Sequence, residues 1–181
     1  MFKAHYIPNV ITGTRILCVP CLVWMLFNQH FERSLLLVLF MGVSDALDGF
    51  LARCYNWKTT LGAFLDPIAD KIMLVAAFLT FALLGWIPWW MAALIIARDV
   101  ILLLGAVSYH LVTRRLQMEP LMISKINTFA QIILAVSLIY TQVNPMHPQV
   151  LNAMMAIVVC TTLASGMRYV LEWSRRAVKP A

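Results

Sequence analysis

The run SLLLVLFMGVSDALDGFLAR, residues 34–53, decides the fold class. Residues 35–43 carry no charge and no hydrogen-bonding side chain, yet Asp45 and Asp48 follow in the same run. About 20 mainly apolar residues in a helix span roughly 30 Å, the thickness of bilayer hydrocarbon. Similar runs lie at 9–27, 62–86, 89–111, 121–142 and 149–173, separated by short polar or Pro/Gly breaks. The spacing predicts an all-α integral membrane bundle of six transmembrane helices, with 1–181 as a single domain, because no break is long enough to hold a second one.

Composition agrees. The 181 residues are 62% hydrophobic and 12% charged, with a mean hydropathy of +0.82. A soluble domain carries about 25% charged residues, and a chain this short cannot hide so much apolar surface in one core. A soluble enzyme, a disulfide scaffold and a disordered chain are excluded. The formal charge of +6 is dispersed between apolar runs and forms no basic patch, so anionic lipid headgroups are the expected partner and nucleic acid is not. Cys18, Cys21, Cys54 and Cys160 read as small hydrophobes, and the scattered histidines form no ligand set. Lys3 precedes a long apolar run with no small-residue cleavage site after it, which reads as a retained first helix.

Charge asymmetry sets the orientation. The connections 28–33, 85–88 and 143–148 hold one Lys or Arg between them, Arg33. The N-terminus, 53–61, 113–125 and the tail hold Lys3, Arg53, Lys58, Arg114, Arg115, Lys125, Arg168, Arg175, Arg176 and Lys179. The positive-inside rule then places both termini in the cytoplasm, which an even number of spans permits. The expected location is the inner membrane of a bacterium.

The acids are the anomaly. Of eight in the chain, Asp45, Asp48, Asp66 and Asp70 fall within 26 residues, at the inner ends of two predicted spans. Carboxylates near a bilayer are costly and mark function. Spacings of three and four put each pair on one helical face. Four mutually repelling carboxylates call for cations, and an all-oxygen ligand set suits Mg²⁺ or Mn²⁺. Gly49, Ala52 and Gly62 leave room for a ligand one turn away, and Arg53 and Lys58 add the positive charge that a diphosphate needs. The alternatives are a structural ion cluster with Lys71 and Arg53, or a proton relay in an ion-coupled transporter.

The pattern Asp45-x2-Asp48-Gly49-x2-Ala52-Arg53-x8-Gly62-x3-Asp66-x3-Asp70 is complete and resembles the signature of the CDP-alcohol phosphatidyltransferase family. The resemblance implies metal-dependent transfer of a phosphatidyl group from CDP-diacylglycerol to an alcohol with release of CMP. It implies that Asp45, Asp48 and Asp66 bind two divalent ions, that Asp70 completes the site and acts as general base, and that the enzyme is a homodimer. Gly49, Ala52, Arg53, Gly62 and Lys58 would then bind CDP-diacylglycerol.

Charges outside the motif bear on the acceptor. Arg98 and Asp99 interrupt the fourth span, and Lys125 opens the fifth after Arg114 and Arg115. Arg98 and Asp99 either pair internally or serve a substrate; the other three either set topology or bind the acceptor. Together they favour an anionic acceptor. The segments 97–100 and 123–128, followed by Gln131, resemble the eukaryotic-type cardiolipin synthase branch. Phosphatidylglycerol, giving cardiolipin, is the acceptor this implies, with glycerol-3-phosphate, the phosphatidylglycerophosphate synthase acceptor, as the alternative.

Overall fold

The computed structural model describes residues 7–54, 60–113 and 122–178, with side chains over 13–14, 16–44, 71–103 and 122–168. Six helices follow one another: α1 (Ile7–Phe27), α2 (Phe31–Cys54), α3 (Thr60–Leu83), α4 (Trp89–Thr113), α5 (Met122–Val143) and α6 (Pro148–Val178). The described residues contain no strand. The protein is all-α, and each helix coincides with one apolar run. α5 and the 148–168 part of α6 are long and apolar enough to cross a bilayer.

The helix ends have local causes. At the end of α3, Gly85 takes φ +75°, so that its N–H reaches the Ala82 carbonyl at 3.1 Å and the next N–H, of Trp86, reaches back to Phe81 at 2.9 Å. This is a Schellman cap, and its hydrophobic contact is present as the Trp86 ring stacked on Phe81 at 5.4 Å. α1 ends in the same way. Gln29 takes φ 60°, its N–H reaches Leu26 and the His30 N–H reaches Met25, while the His30 ring leans on Trp24 at 5.7 Å. Pro148 opens α6 at a position where a missing N–H costs nothing, and Gln149 N–H lies 3.4 Å from His147 Nδ1.

The chain forms two compact units, Met1–Trp86 with Ala135–Pro145, and Ile87–Leu134 with Met146–Ala181. In the first, α1 packs on α2 and α3. Its core is apolar: Leu22, Leu26, Val38, Met41, Leu74, Phe78 and Phe81 are buried, as are Leu138 and Ile139 of α5. Phe31 meets Trp86 edge-on at 5.6 Å, tying the start of α2 to the end of α3. In the second, α4 packs on α6, and Met91, Ile95, Leu134 and Val158 are buried beside Arg98, Asp99, Asn127, Gln131, Thr162 and Ser165. Large apolar side chains meanwhile face outward on every helix, among them Leu17, Phe40, Leu79, Ile101, Phe129 and Ile157. Side chains of this kind on the outer faces suit a hydrocarbon surrounding, in keeping with the two helices apolar enough to cross a bilayer.

Candidate functional site

The four motif aspartates lie on two helices of the same unit. Asp45 and Asp48 occupy the last three turns of α2, and Asp66 and Asp70 the first three turns of α3. Both stretches are continuous helix, so the spacings of three and four put each pair on one side of its helix. Both helices pack on α1. Gly49, Ala52 and Arg53 sit on the same end of α2 and Gly62 on the same end of α3. Lys58 lies outside the described residues, as do Arg114 and Arg115. The donor set fits a hard divalent cation: four carboxylates with two oxygens each supply the oxygen-only coordination that Mg²⁺ and Mn²⁺ prefer.

The charges of the second unit are resolved in detail. Arg98, on α4, is only 6% exposed. Burying a guanidinium is costly unless its charge is paired and its N–H groups are bonded. Its Nη1 donates to Asp99 Oδ1 at 2.5 Å, and its Nη2 donates to Ser124 Oγ on α5 at 2.7 Å and to Ser165 Oγ on α6 at 2.6 Å. The pairing with Asp99 is the internal ion pair that the sequence left open as one of two roles. One donor, Nε, keeps no partner.

Ser124 belongs to the first turn of α5, and so does the exposed Lys125. The first turn of a helix presents unpaired amide N–H groups and about half a positive charge. A lysine there opposes the helix dipole. Arg98 bonds Ser124 from α4, and Lys125 is the exposed chain neighbour of that serine.

Behind this corner runs a polar seam that the sequence reading did not identify. Asn127 and Gln131 on α5 are fully buried, and the hydroxyls of Thr161 and Thr162 on α6 lie 2.8 and 2.9 Å from Asn127 Oδ1. A signal existed: 124, 127 and 131 fall at spacings of three and four in an apolar run, and in another 165 lies four residues after 161 and three after 162. Each is one face of one helix.

The CDP-alcohol phosphatidyltransferase family model matches residues 5–170. A "Cardiolipin synthase (CMP-forming)" of Homo sapiens is 33% identical over 96% of this chain and 63% of its own length. A "Cardiolipin synthase (CMP-forming) / mitochondrial hydrolase fusion protein" of Schizosaccharomyces pombe is 30% identical over 92% of this chain and 31% of its own. A "Probable phosphatidylglycerophosphate synthase" of Mycobacterium tuberculosis H37Rv is 31% identical over 90% of this chain and 78% of its own. The chain thus spans less than two thirds of the first two relatives.

Proposed function

Because the chain belongs to the CDP-alcohol phosphatidyltransferase family, we propose that it transfers the phosphatidyl group of CDP-diacylglycerol to an anionic glycerol-based alcohol and releases CMP. The observation that carries this reading is four aspartates, in the family's spacing, on the C-terminal end of α2 and the N-terminal end of α3, consecutive helices of one unit. Members of the family use divalent metals. Asp45, Asp48, Asp66 and Asp70 would hold two Mg²⁺ or Mn²⁺ ions, and such ions supply charge neutralisation for a diphosphate and polarise its phosphorus.

The chain's own residues do the rest. Arg53 and Lys58 bind the diphosphate, while Gly49, Ala52 and Gly62, lacking bulk, let CDP-diacylglycerol approach the helix backbones. Asp70 accepts the proton of the acceptor hydroxyl as its oxygen attacks the phosphorus that bears the diacylglycerol. The bond from that phosphorus to the bridging oxygen breaks, and its electron pair leaves with CMP. Base assistance of this kind contributes about 10²–10⁴-fold. Lys125, Arg114 and Arg115 bind the phosphate of the acceptor, joined by the remaining Nε–H of Arg98.

Phosphatidylglycerol is the acceptor we infer, giving cardiolipin, supported by the match to cardiolipin synthases over nearly the whole chain. Glycerol-3-phosphate is the second reading, favoured by the larger share of the mycobacterial relative's length that the chain covers. The family match runs through both units, which supports 1–181 as one domain. The charge asymmetry supports six spans with both termini and the carboxylates on the cytoplasmic side of a bacterial inner membrane; the family resemblance adds a homodimer. Purified protein given CDP-diacylglycerol, a divalent metal and either acceptor tests the reading, with the labelled products separated by thin-layer chromatography.

A further inference from the structure

At the end of α2 remote from the aspartates lies a pocket of about 390 Å³, lined among others by Gln29, His30, Glu32 and Arg33 of the α1–α2 turn and by Gln142 and Val143 of α5. All of these residues belong to the first unit. Continuous helix separates Arg33 from Asp48 by about 22 Å at the helical rise, so this pocket is distinct from the carboxylate site. Its volume falls at the small end of ligand pockets, roughly 300–1,000 Å³, which suits a compact polar group.

The surroundings place the pocket at the edge of a bilayer. α5 is long and apolar enough to cross one, and Gln142 and Val143 are its last two residues. Trp24, whose ring lies 5.7 Å from that of His30, and Tyr140 are both exposed; amphipathic rings of this kind gather at membrane interfaces. Deeper along α2, the exposed Leu36, Leu39 and Phe40 form a surface suited to acyl chains.

The walls carry both signs of charge. α2 begins at Phe31, and the first turn of a helix presents amide N–H groups and about half a positive charge. Arg33 stands in that turn. The His30 carbonyl fixes its start by accepting from the Ser34 N–H at 2.9 Å and from the Ser34 hydroxyl at 3.0 Å. α5 ends at Val143, and the last turn of a helix presents carbonyl oxygens and about half a negative charge. Glu32 adds a full negative charge. A ligand with a single charge would meet attraction and repulsion together. One that carries a phosphate and a primary ammonium finds N–H groups and a guanidinium for the first, and carbonyls and a carboxylate for the second. We propose that this pocket binds the phosphoethanolamine headgroup of a zwitterionic phospholipid, with Arg33 on the phosphate and Glu32 on the ammonium, while the acyl chains run along the outer face of α2.

The test places the full chain in phosphatidylcholine nanodiscs that carry phosphatidylethanolamine, phosphatidylglycerol or phosphatidylcholine with one photoreactive acyl chain, and maps the crosslinks by mass spectrometry. Phosphatidylethanolamine should label the segment 24–36 about three- to tenfold more than either other lipid, the range expected of charge-assisted bonds at an exposed site. Glu32→Gln should erase the preference for phosphatidylethanolamine over phosphatidylglycerol, which has no ammonium. Arg33→Gln should lower labelling by all three lipids, which share the phosphate. Both side chains are exposed, so both variants should elute as monodisperse as the unmodified protein. Equal labelling of that segment by the three lipids overturns the proposal without any variant, and so does a preference that persists in both variants. Loss of labelling on addition of soluble phosphoethanolamine at the lipid's concentration would assign the pocket to a free ligand and overturn the lipid reading as well.

Discussion

The two units treat buried polar side chains in opposite ways. In the unit of α1, α2 and α3, the buried Ser34 and Thr80 hydroxyls turn back to carbonyls of their own chain segment, those of His30 and Ala76, at 3.0 and 2.7 Å. The space between helices is filled by Phe78, Phe81, Leu22 and Leu26. In the unit of α4 and α6, Arg98, Asn127, Ser165 and Thr162 bond from helix to helix. Local bonds satisfy a hydroxyl and say nothing about which helix is its neighbour. Bonds between helices fix register and hold charged groups in chosen places, and in a membrane they act where helices lack a hydrophobic drive to associate. Among the described side chains, the first unit therefore has an apolar core whose hydroxyls bond locally, and the second an interior bonded from helix to helix.

The largest effect should come from the first unit's carboxylates. Asp70→Asn removes the proposed base and should lower turnover by about 10²–10⁴-fold, with retained CDP-diacylglycerol binding, since three carboxylates remain. Asp66→Asn should weaken metal dependence together with turnover, read as a raised Mg²⁺ or Mn²⁺ requirement, and a chelator should silence the unmodified protein. Thermal unfolding of the same variants separates loss of chemistry from loss of fold, and the melting temperature should move little by comparison with turnover. A variant that loses fold and activity together would erase the contrast between the units.

Next comes Arg98, where fold and function are joined. Arg98→Ala takes away the guanidinium paired with Asp99 and the donor to both Ser124 and Ser165; breaking a buried pair costs about 3–5 kcal/mol. Thermal unfolding should show it as a clear loss of stability. Lys125 is exposed and provides the control: Lys125→Ala should leave stability unchanged, raise the acceptor KM roughly tenfold through loss of a charge-assisted hydrogen bond, and spare CDP-diacylglycerol affinity. Equal losses for both substrates in the Lys125 variant would return it to a topology determinant.

Much of this was legible in the sequence. The six apolar runs showed the helices because each is long, apolar and closed by a polar or Pro/Gly break, and the sharing of one helical side by each aspartate pair followed from helical periodicity. Gly85 falls in a break the sequence showed, and glycine takes the positive φ of its cap without strain. The same cap at Gln29 is built with a residue that gives no such signal. The seam was hidden for another reason. Asn127 and its partners Thr161 and Thr162 are more than 30 residues apart, and pattern along one helix does not say which helix faces it. Arg98 stood between two readings for the same cause, and only its contacts with Ser124 and Ser165 showed how its charge is housed.

The smallest predicted effects compare the two caps directly. Gly85→Ala forces a side chain into positive φ and should cost about 1–2 kcal/mol. Gln29→Gly relieves the same conformation at the end of α1 and should gain up to about 1 kcal/mol. Shifts of opposite sign in thermal unfolding would show that the two ends are one device built from unequal residues; the same sign for both would break that equivalence.

The central claim is phosphatidyl transfer, and product analysis addresses it most directly. Detergent-purified protein with labelled CDP-diacylglycerol, Mg²⁺ or Mn²⁺ and phosphatidylglycerol should yield CMP and cardiolipin in equal amounts, without any membrane gradient. A monodisperse preparation that releases no CMP with phosphatidylglycerol or with glycerol-3-phosphate, at any concentration of either metal, would contradict the account.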